Sequence, residues 1–226
     1  MVSIKSSFRI SLIQIIVVIA TLIPLPASAQ SAEAEGWVQR GVEAYNQRDL
    51  KAAWQSFSSA IRADPKYAVA YYNRCIVNSQ LGDVQKALVD CEQAFGIDPN
   101  YAAAYYLHGL ILSQNLGENN KALQDFNQAI RINPKFAPAY LKRGNVRSRQ
   151  GDLDGGVKDY SQAIQIEPDY ADAYYNRGVL YYKLGNKDAA LQDFVRALQF
   201  HQKQGNQAGM DQAGAAIDTV MAERKE

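Results

Sequence analysis

The sequence predicts an all-α fold made of five consecutive pairs of antiparallel helices and one closing helix. The first observation is a period of about 34 residues between four prolines, which are Pro65, Pro99, Pro134 and Pro168. The second is a triplet of a small residue, an aromatic residue or Cys, and Ala at i, i+4 and i+7, as in Ala122, Phe126 and Ala129. The third is a glycine turn ahead of most triplets. Such a period is typical of arrays in which each unit packs only against its neighbours.

Ahead of the repeats, residues 1–29 have the pattern of a signal peptide. Lys5 and Arg9 form a short basic start, and an apolar stretch follows over residues 10–23. The small residues at 27–29 then match the pattern that signal peptidase accepts. The apolar stretch is shorter than the ~20 residues that cross a bilayer comfortably. We therefore expect cleavage after Ala29, which leaves residues 30–33 as a short segment before the first repeat; retention as a membrane anchor is the alternative.

Each repeat is predicted to contain two helices. The spacing i, i+4, i+7 marks one face of a helix, so the triplet is the buried face of the second helix. Glycine in the turn permits the left-handed backbone that ends the first helix, and proline ends the second. Three units depart from the pattern: the first has Arg48 for the turn glycine, the third has an extra residue near Asn115, and the fifth has Gln202 for the proline. Residues 205–226 are predicted to form a capping helix and a polar tail, because an array cannot leave an apolar end face open to water.

This pattern resembles that of the tetratricopeptide repeats. The resemblance covers residues 34–204, divided into units at 34–67, 68–101, 102–136, 137–170 and 171–204. It implies an α-solenoid, in which antiparallel helix pairs stack into a right-handed superhelix. It also implies a role in binding other proteins.

In that family the first helices of successive units line a concave groove. By helical spacing, the residues of this sequence at the groove positions are Val38, Val42, Tyr45, Tyr72, Ile76, Tyr106, Leu110, Leu141, Asn145, Arg149, Tyr175, Val179 and Tyr182. Tyrosine offers a large contact area at a low entropy cost, so we expect this lining to capture a protein or peptide partner. The alternative is that several of these tyrosines support packing. We do not expect the clamp for C-terminal carboxylates found in one subtype of the family, because Leu141 stands where that clamp needs Lys.

Charge and composition disfavour other classes of function. With 24 basic and 23 acidic side chains the formal charge is +1, so no basic excess favours nucleic acid or anionic lipid. His108 and His201 have no Cys, Ser or carboxylate at a spacing typical of a nucleophile system or a metal site. We therefore expect no enzymatic activity, no metal or cofactor, and no small-molecule substrate.

The two cysteines both lie in the second unit. Cys75 stands where other units have glycine, and Cys91 where they have Phe or Tyr. The two are almost equally distant from the turn at residues 82–83, so they lie opposite one another in a helical hairpin. A disulfide formed after export is one interpretation, and two buried free thiols are the other.

Arginine and aspartate also recur once per unit. The arginines are Arg40, Arg74, Arg143 and Arg177, and the acids are Asp90, Asp125, Asp159 and Asp193. We expect internal ion pairs, for which the planar guanidinium is well suited. The alternatives are a ladder of arginines that grips an acidic partner and, separately, contact of the basic cluster over residues 142–149 with an acidic segment.

These observations predict a scaffold or assembly factor in the periplasm or an equivalent extracytoplasmic compartment. An envelope-anchored structural protein that retains its hydrophobic start is the alternative, and a regulatory subunit of a secreted enzyme is a third hypothesis. Only the first alternative would place the protein at a membrane.

Overall fold

The structure is a computed structural model that describes residues 32–224. Over this range the chain forms eleven α-helices, one π-helical turn and no strand. The predicted all-α class and the closing helix are confirmed. The predicted signal peptide, residues 1–29, lies outside the described residues.

The helices belong to two compact units, and the boundary between them along the chain falls between Ile97 and Asp98. The first unit contains α1 (Ala32–Asn46), α2 (Leu50–Ala63), α3 (Ala68–Leu81) and α4 (Val84–Ile97). The second contains α5 (Ala102–Ile111), α6 (Asn119–Ile132), α7 (Ala137–Arg149), α8 (Leu153–Ile166), α9 (Ala171–Lys183), α10 (Lys187–Lys203) and α11 (Gln207–Ala222). Each odd-numbered helix up to α9 is the first of a pair and packs against the even-numbered helix that follows it.

A glycine of the first helix sets the distance between the two helices of a pair. It faces an aromatic ring of the second helix, in the pairs Gly41 and Phe57, Gly109 and Phe126, Gly144 and Tyr160, and Gly178 and Phe194. A Cβ atom added at any of these glycines would lie only 2.4–3.0 Å from a ring carbon. The rings are themselves almost fully buried and cannot swing aside. Glycine is therefore required for this close approach.

In the second pair a disulfide takes the place of this contact. Cys75 lies at the glycine position and Cys91 at the ring position, their Cα atoms are 5.5 Å apart and their sulfur atoms are bonded. Both side chains are fully buried. The bridge therefore fills the space that a ring fills in the other pairs.

A buried ion pair links the same two helices and uses the residue just before the glycine or, in the second pair, just before Cys75. The shortest N–O distances are 2.6 Å for Arg74 and Asp90, 2.6 Å for Arg143 and Asp159, and 2.7 Å for Arg177 and Asp193. In the third pair His108 replaces the arginine, and its Nδ1 atom lies 2.7 Å from Oδ2 of Asp125. Internal pairing is thus confirmed for these three arginines, which bind their own aspartates rather than forming a ladder for an acidic partner.

The third repeat, which forms the pair α5 and α6, has one extra residue, and a π-helical turn accommodates it. The turn spans Leu112–Leu116, and the backbone N–H of Glu118 donates to the carbonyl of Leu112 at 3.0 Å. A π turn adds one residue to a helix without moving the helix that follows it out of register. The contact between Gly109 and Phe126 is consequently kept, although these residues are 17 positions apart where the other pairs are 16 apart.

The first helix pair, α1 and α2, closes its turn with a residue other than glycine. Among the described residues, Arg48 is the one non-glycine with a positive φ, at 63°. The equivalent turns of the other pairs use Gly82, Gly117, Gly151 and Gly185, all with positive φ. A side chain in this left-handed region is strained by contact between its Cβ atom and the backbone.

We expect Arg48→Gly to raise the free energy of unfolding by about 1 kcal/mol, because it removes the strain at this φ angle. Urea denaturation followed by circular dichroism would measure the change. Gly151→Ala is the matched control, since it introduces the same strain at φ 88° and should destabilise the fold. No gain from Arg48→Gly would show that the turn carries no strain.

Cys75→Ser should lower the free energy of unfolding by roughly 3 kcal/mol under non-reducing conditions, because it opens the loop that the bridge closes. Under reducing conditions, in which the parent protein also has no bridge, the loss should be much smaller. The double variant Cys75→Gly, Cys91→Phe recreates the contact of the other pairs and should recover part of the loss. Equal destabilisation by Cys75→Ser in both conditions would show that the bridge does not form in solution.

Candidate functional site

The structure buries seven of the thirteen predicted groove residues. They are Val38, Tyr45, Tyr72, Ile76, Tyr106, Leu110 and Leu141, with side chains 1–8% exposed. Side chains buried to this extent are packing residues and present no surface to a partner. The packing alternative therefore describes these positions, and the groove assignment does not hold for them.

Tyr106 illustrates the physical reason. Its ring centroid lies 4.9 Å from that of Phe136 and 6.0 Å from that of Phe126. Burial also raises the pKa of its hydroxyl above the ordinary value for tyrosine. Large neighbours close over the ring, so a side chain on the predicted face becomes part of the core.

The predicted residues that keep some exposure are Val42, Asn145, Arg149, Tyr175, Val179 and Tyr182. All but Val42 lie on α7 and α9, two successive first helices of the second unit. Lys142 and Asn176 are partly exposed on the same two helices. We call these seven residues of α7 and α9 the α7–α9 surface: Lys142, Asn145, Arg149, Tyr175, Asn176, Val179 and Tyr182.

An amide pair forms the middle of the α7–α9 surface. The Oδ1 atom of Asn145 accepts hydrogen bonds from the Tyr160 hydroxyl at 2.8 Å and from Nδ2 of Asn176 at 3.3 Å. These two donors fix the orientation of the Asn145 amide and connect α7 to both α8 and α9. A fixed amide can recognise the backbone groups of an extended peptide, since it carries both a donor and an acceptor.

Basic side chains lie beside the amides. Burial lowers the pKa of the Lys142 ammonium, an effect that Asp172 opposes and Arg149 reinforces. A cation that has lost part of its hydration gains from an incoming anionic or carbonyl oxygen. Arg149 is exposed at the end of α7.

The predicted basic cluster over residues 142–149 does not act as one patch. Arg143 and Arg147 both bind Asp159, at 2.6 and 2.9 Å. Asp159 is almost fully buried, so its two arginines are held in an internal cluster. Lys142 and Arg149 are the members that contribute to the α7–α9 surface.

Aromatic and aliphatic side chains complete the surface on α9. Tyr175, Val179 and Tyr182 pack with one edge against the core formed by Ala190, Phe194 and Val220. The ring centroids of Tyr175 and Phe194 are 5.5 Å apart, and the Tyr182 hydroxyl donates to Glu223. Contacts with the core hold these side chains in place, which lowers the entropy cost of binding to their exposed edges.

Residues 32–224 contain no group of three His, Cys, Asp or Glu side chains placed to hold a metal ion. No helix in this range combines the length and apolar character needed to cross a membrane.

The predicted groove set did not include Lys142 and Asn176, although Lys142 belonged to the predicted basic cluster over residues 142–149. Asn176 follows the groove residue Tyr175 directly, and Lys142 follows Leu141 in the same way. Both would have been included if the groove face of each helix had been placed one residue further along the chain. Which face is exposed depends on the burial of each side chain by its neighbours, and the spacing of residues in the sequence does not show this burial.

Comparison with known proteins identifies the family. Family models described as "TPR repeat" match residues 115–151 and 144–185, and models described as "Tetratricopeptide repeat" match residues 68–101 and 171–204. Together they match helix pairs in both units.

Two curated proteins are similar over part of this chain. Small glutamine-rich tetratricopeptide repeat-containing protein 2 of Saccharomyces cerevisiae is 33% identical over 79 residues, which are 35% of this chain and 23% of that protein. Hsp70-Hsp90 organizing protein 1 of Glycine max is 32% identical over 73 residues, which are 32% of this chain and 13% of that protein. The chain thus matches less than a quarter of the length of either relative.

The crystal structure of MamA is similar at the level of the fold. It superimposes with a TM-score of 0.65 at 25% identity and covers 73% of this chain and 96% of the MamA chain. The repeated glycine and ring contact, the family matches at successive helix pairs and this superposition agree with one another. The chain therefore belongs to the tetratricopeptide repeat family.

Proposed function

We propose that this protein is a non-enzymatic scaffold or assembly factor that binds a protein or peptide partner outside the cytoplasm. The α7–α9 surface is part of its binding site. The proposal rests on three groups of side chains that lie together on the adjacent helices α7 and α9. Tyr175, Val179 and Tyr182 are partly exposed apolar or aromatic side chains. Beside them are the hydrogen-bonded amides of Asn145 and Asn176 and the cations Lys142 and Arg149.

The chemistry of this surface favours an extended segment of a partner. The edges of Tyr175 and Tyr182 suit apolar side chains, and the amides of Asn145 and Asn176 suit peptide groups. Lys142, with its pKa lowered by burial, favours an acidic side chain nearby. The name of the relative in Glycine max, an Hsp70-Hsp90 organizing protein, is consistent with a role in contacting other proteins.

Two features support a location outside the cytoplasm. Residues 1–29 have the charge, length and small-residue pattern of a signal peptide. The disulfide between Cys75 and Cys91 lies in the core, and such structural bridges persist in oxidising compartments.

Crosslinking in intact cells tests the binding surface. Photoreactive residues at Val179 and Tyr182 should give adducts with one dominant partner, which mass spectrometry would identify. Gln165 on α8 and Gln192 on α10 are exposed controls on second helices and should give few adducts. Adducts that arise mainly from the control positions would move the binding site away from the α7–α9 surface.

Mass spectrometry of the native amino terminus tests the location. Cleavage predicts a mature chain that begins at Gln30. A chain that begins at Met1 or Val2 would instead support the alternative of an envelope protein anchored by its hydrophobic start.

A further inference from the structure

The closing helix α11 has the register of a first helix. In α5, α7 and α9 a buried alanine precedes the ring-facing glycine by five residues, in the pairs Ala104 and Gly109, Ala139 and Gly144, and Ala173 and Gly178. In α11 the buried Gly209 precedes Gly214 by the same five residues. Gly209 packs on the preceding pair, since a Cβ atom there would lie 2.5 Å from the His201 ring. Gly214 therefore occupies the position that receives a ring in the other pairs.

Gly214 differs from those glycines in what lies above it. An added Cβ atom would meet no atom within 4 Å. The apolar stripe Met210, Gly214, Ile217 and Met221 runs along the same side of α11 at spacing 4, 3 and 4, and we call it the Gly214 socket. Met221 is 48% exposed and Met210 is partly exposed. Ile217 keeps some exposure but also packs against the core formed by Ala190, Phe194 and Val220. Within residues 32–224, α11 packs mainly against α10 and also contacts α9.

We propose that the Gly214 socket docks an amphipathic helix from a different protein, with an aromatic residue in the helix's apolar stripe and basic residues along one edge. The other pairs show what such a position accepts. Phe57, Phe126, Tyr160 and Phe194 each fill the space over the equivalent glycine. The docked helix supplies in trans the ring that a second helix supplies within the other pairs. This surface is separate from the α7–α9 surface and extends the proposed function.

The acidic charges beside the socket favour a basic partner helix over a second copy of this chain. Asp211 and Asp218 are exposed and follow Met210 and Ile217 along one edge of the socket. Two antiparallel copies of α11 would pair Met210 with Met221 but would also place Asp211 of one copy beside Asp218 of the other. Like charges so placed oppose association, whereas basic residues on a partner helix form attractive pairs there.

A peptide probe tests the socket directly. The probe is a labelled, helix-stapled peptide of the α10 sequence, residues 187–203, that carries Asp193→Lys. It retains Phe194 between Ala190 and Ala197, and the lysine at position 193 joins Arg196 on one edge of the apolar stripe. Fluorescence anisotropy with the full chain measures its affinity, and a photoreactive group near Phe194 of the peptide reports where it binds.

We expect adducts within residues 210–221. Gly214→Leu should weaken binding by at least about tenfold, because its side chain fills the space for the ring. The matched control Ala215→Leu, on an exposed position of the same helix, should bind like the parent chain. Neither variant should lower the melting temperature, since Gly214 has open space above it. A peptide with Phe194→Ala should bind more weakly than the probe.

Three results would overturn the proposal. One is undetectable binding of the probe to the parent chain at millimolar concentration, and another is equal binding by Gly214→Leu. The third is sedimentation of the parent chain as a dimer and of Gly214→Leu as a monomer, which would assign the socket to a second copy.

Discussion

The structure depends on the close approach of a first-helix glycine to a ring on the second helix of the same pair. With a Cβ atom at most 3.0 Å from the ring, no side chain other than hydrogen fits at these glycines. The close helices bring the neighbouring arginine and aspartate within hydrogen-bonding distance, so the buried ion pair follows from the same geometry. The Cys75–Cys91 bridge satisfies the same constraint by another route, since two cysteines span a gap similar to that filled by glycine and a ring.

Local irregularities in the chain are accommodated in ways that preserve this contact. The extra residue of the third repeat is accommodated in the π-helical turn Leu112–Leu116, which lies between Gly109 and Phe126 in the chain. The contact between this glycine and this ring is therefore the same as in the other pairs. The strain at Arg48 is confined to the turn and leaves the contact between Gly41 and Phe57 intact. Turns adapt more readily than cores, because a change in packing is felt throughout a dense interior.

The fold could be predicted from the sequence because its determinants are periodic. Glycine, proline and aromatic residues recur at fixed spacing, and each has a direct consequence for the backbone or for helix contact. The ion pairs could also be predicted, since Arg and Asp recur in register with the glycines. The exposure of the predicted groove residues was predicted poorly, since seven of the thirteen are buried. Spacing places Tyr106 and Tyr175 on the same face of their helices, yet Phe136 closes over Tyr106 while Tyr175 keeps an exposed edge. Burial depends on the size of neighbours from other repeats, which periodicity alone does not report.

The closing helix α11 covers the apolar face of α10, but it has an apolar side of its own. The inward side of α11 covers α10 with small residues, including Ala213 and Gly209, while its lateral side carries Met210 and Met221. Ile217 lies between the two sides and packs partly against the core. A helix intended only to cap would carry polar residues on that side, as capping repeats do. Methionine is flexible and polarizable, so such a side adapts to the shape of an incoming helix. Asp211 and Asp218 are exposed at the edge of this side, and their charge favours a basic partner helix over an acidic one.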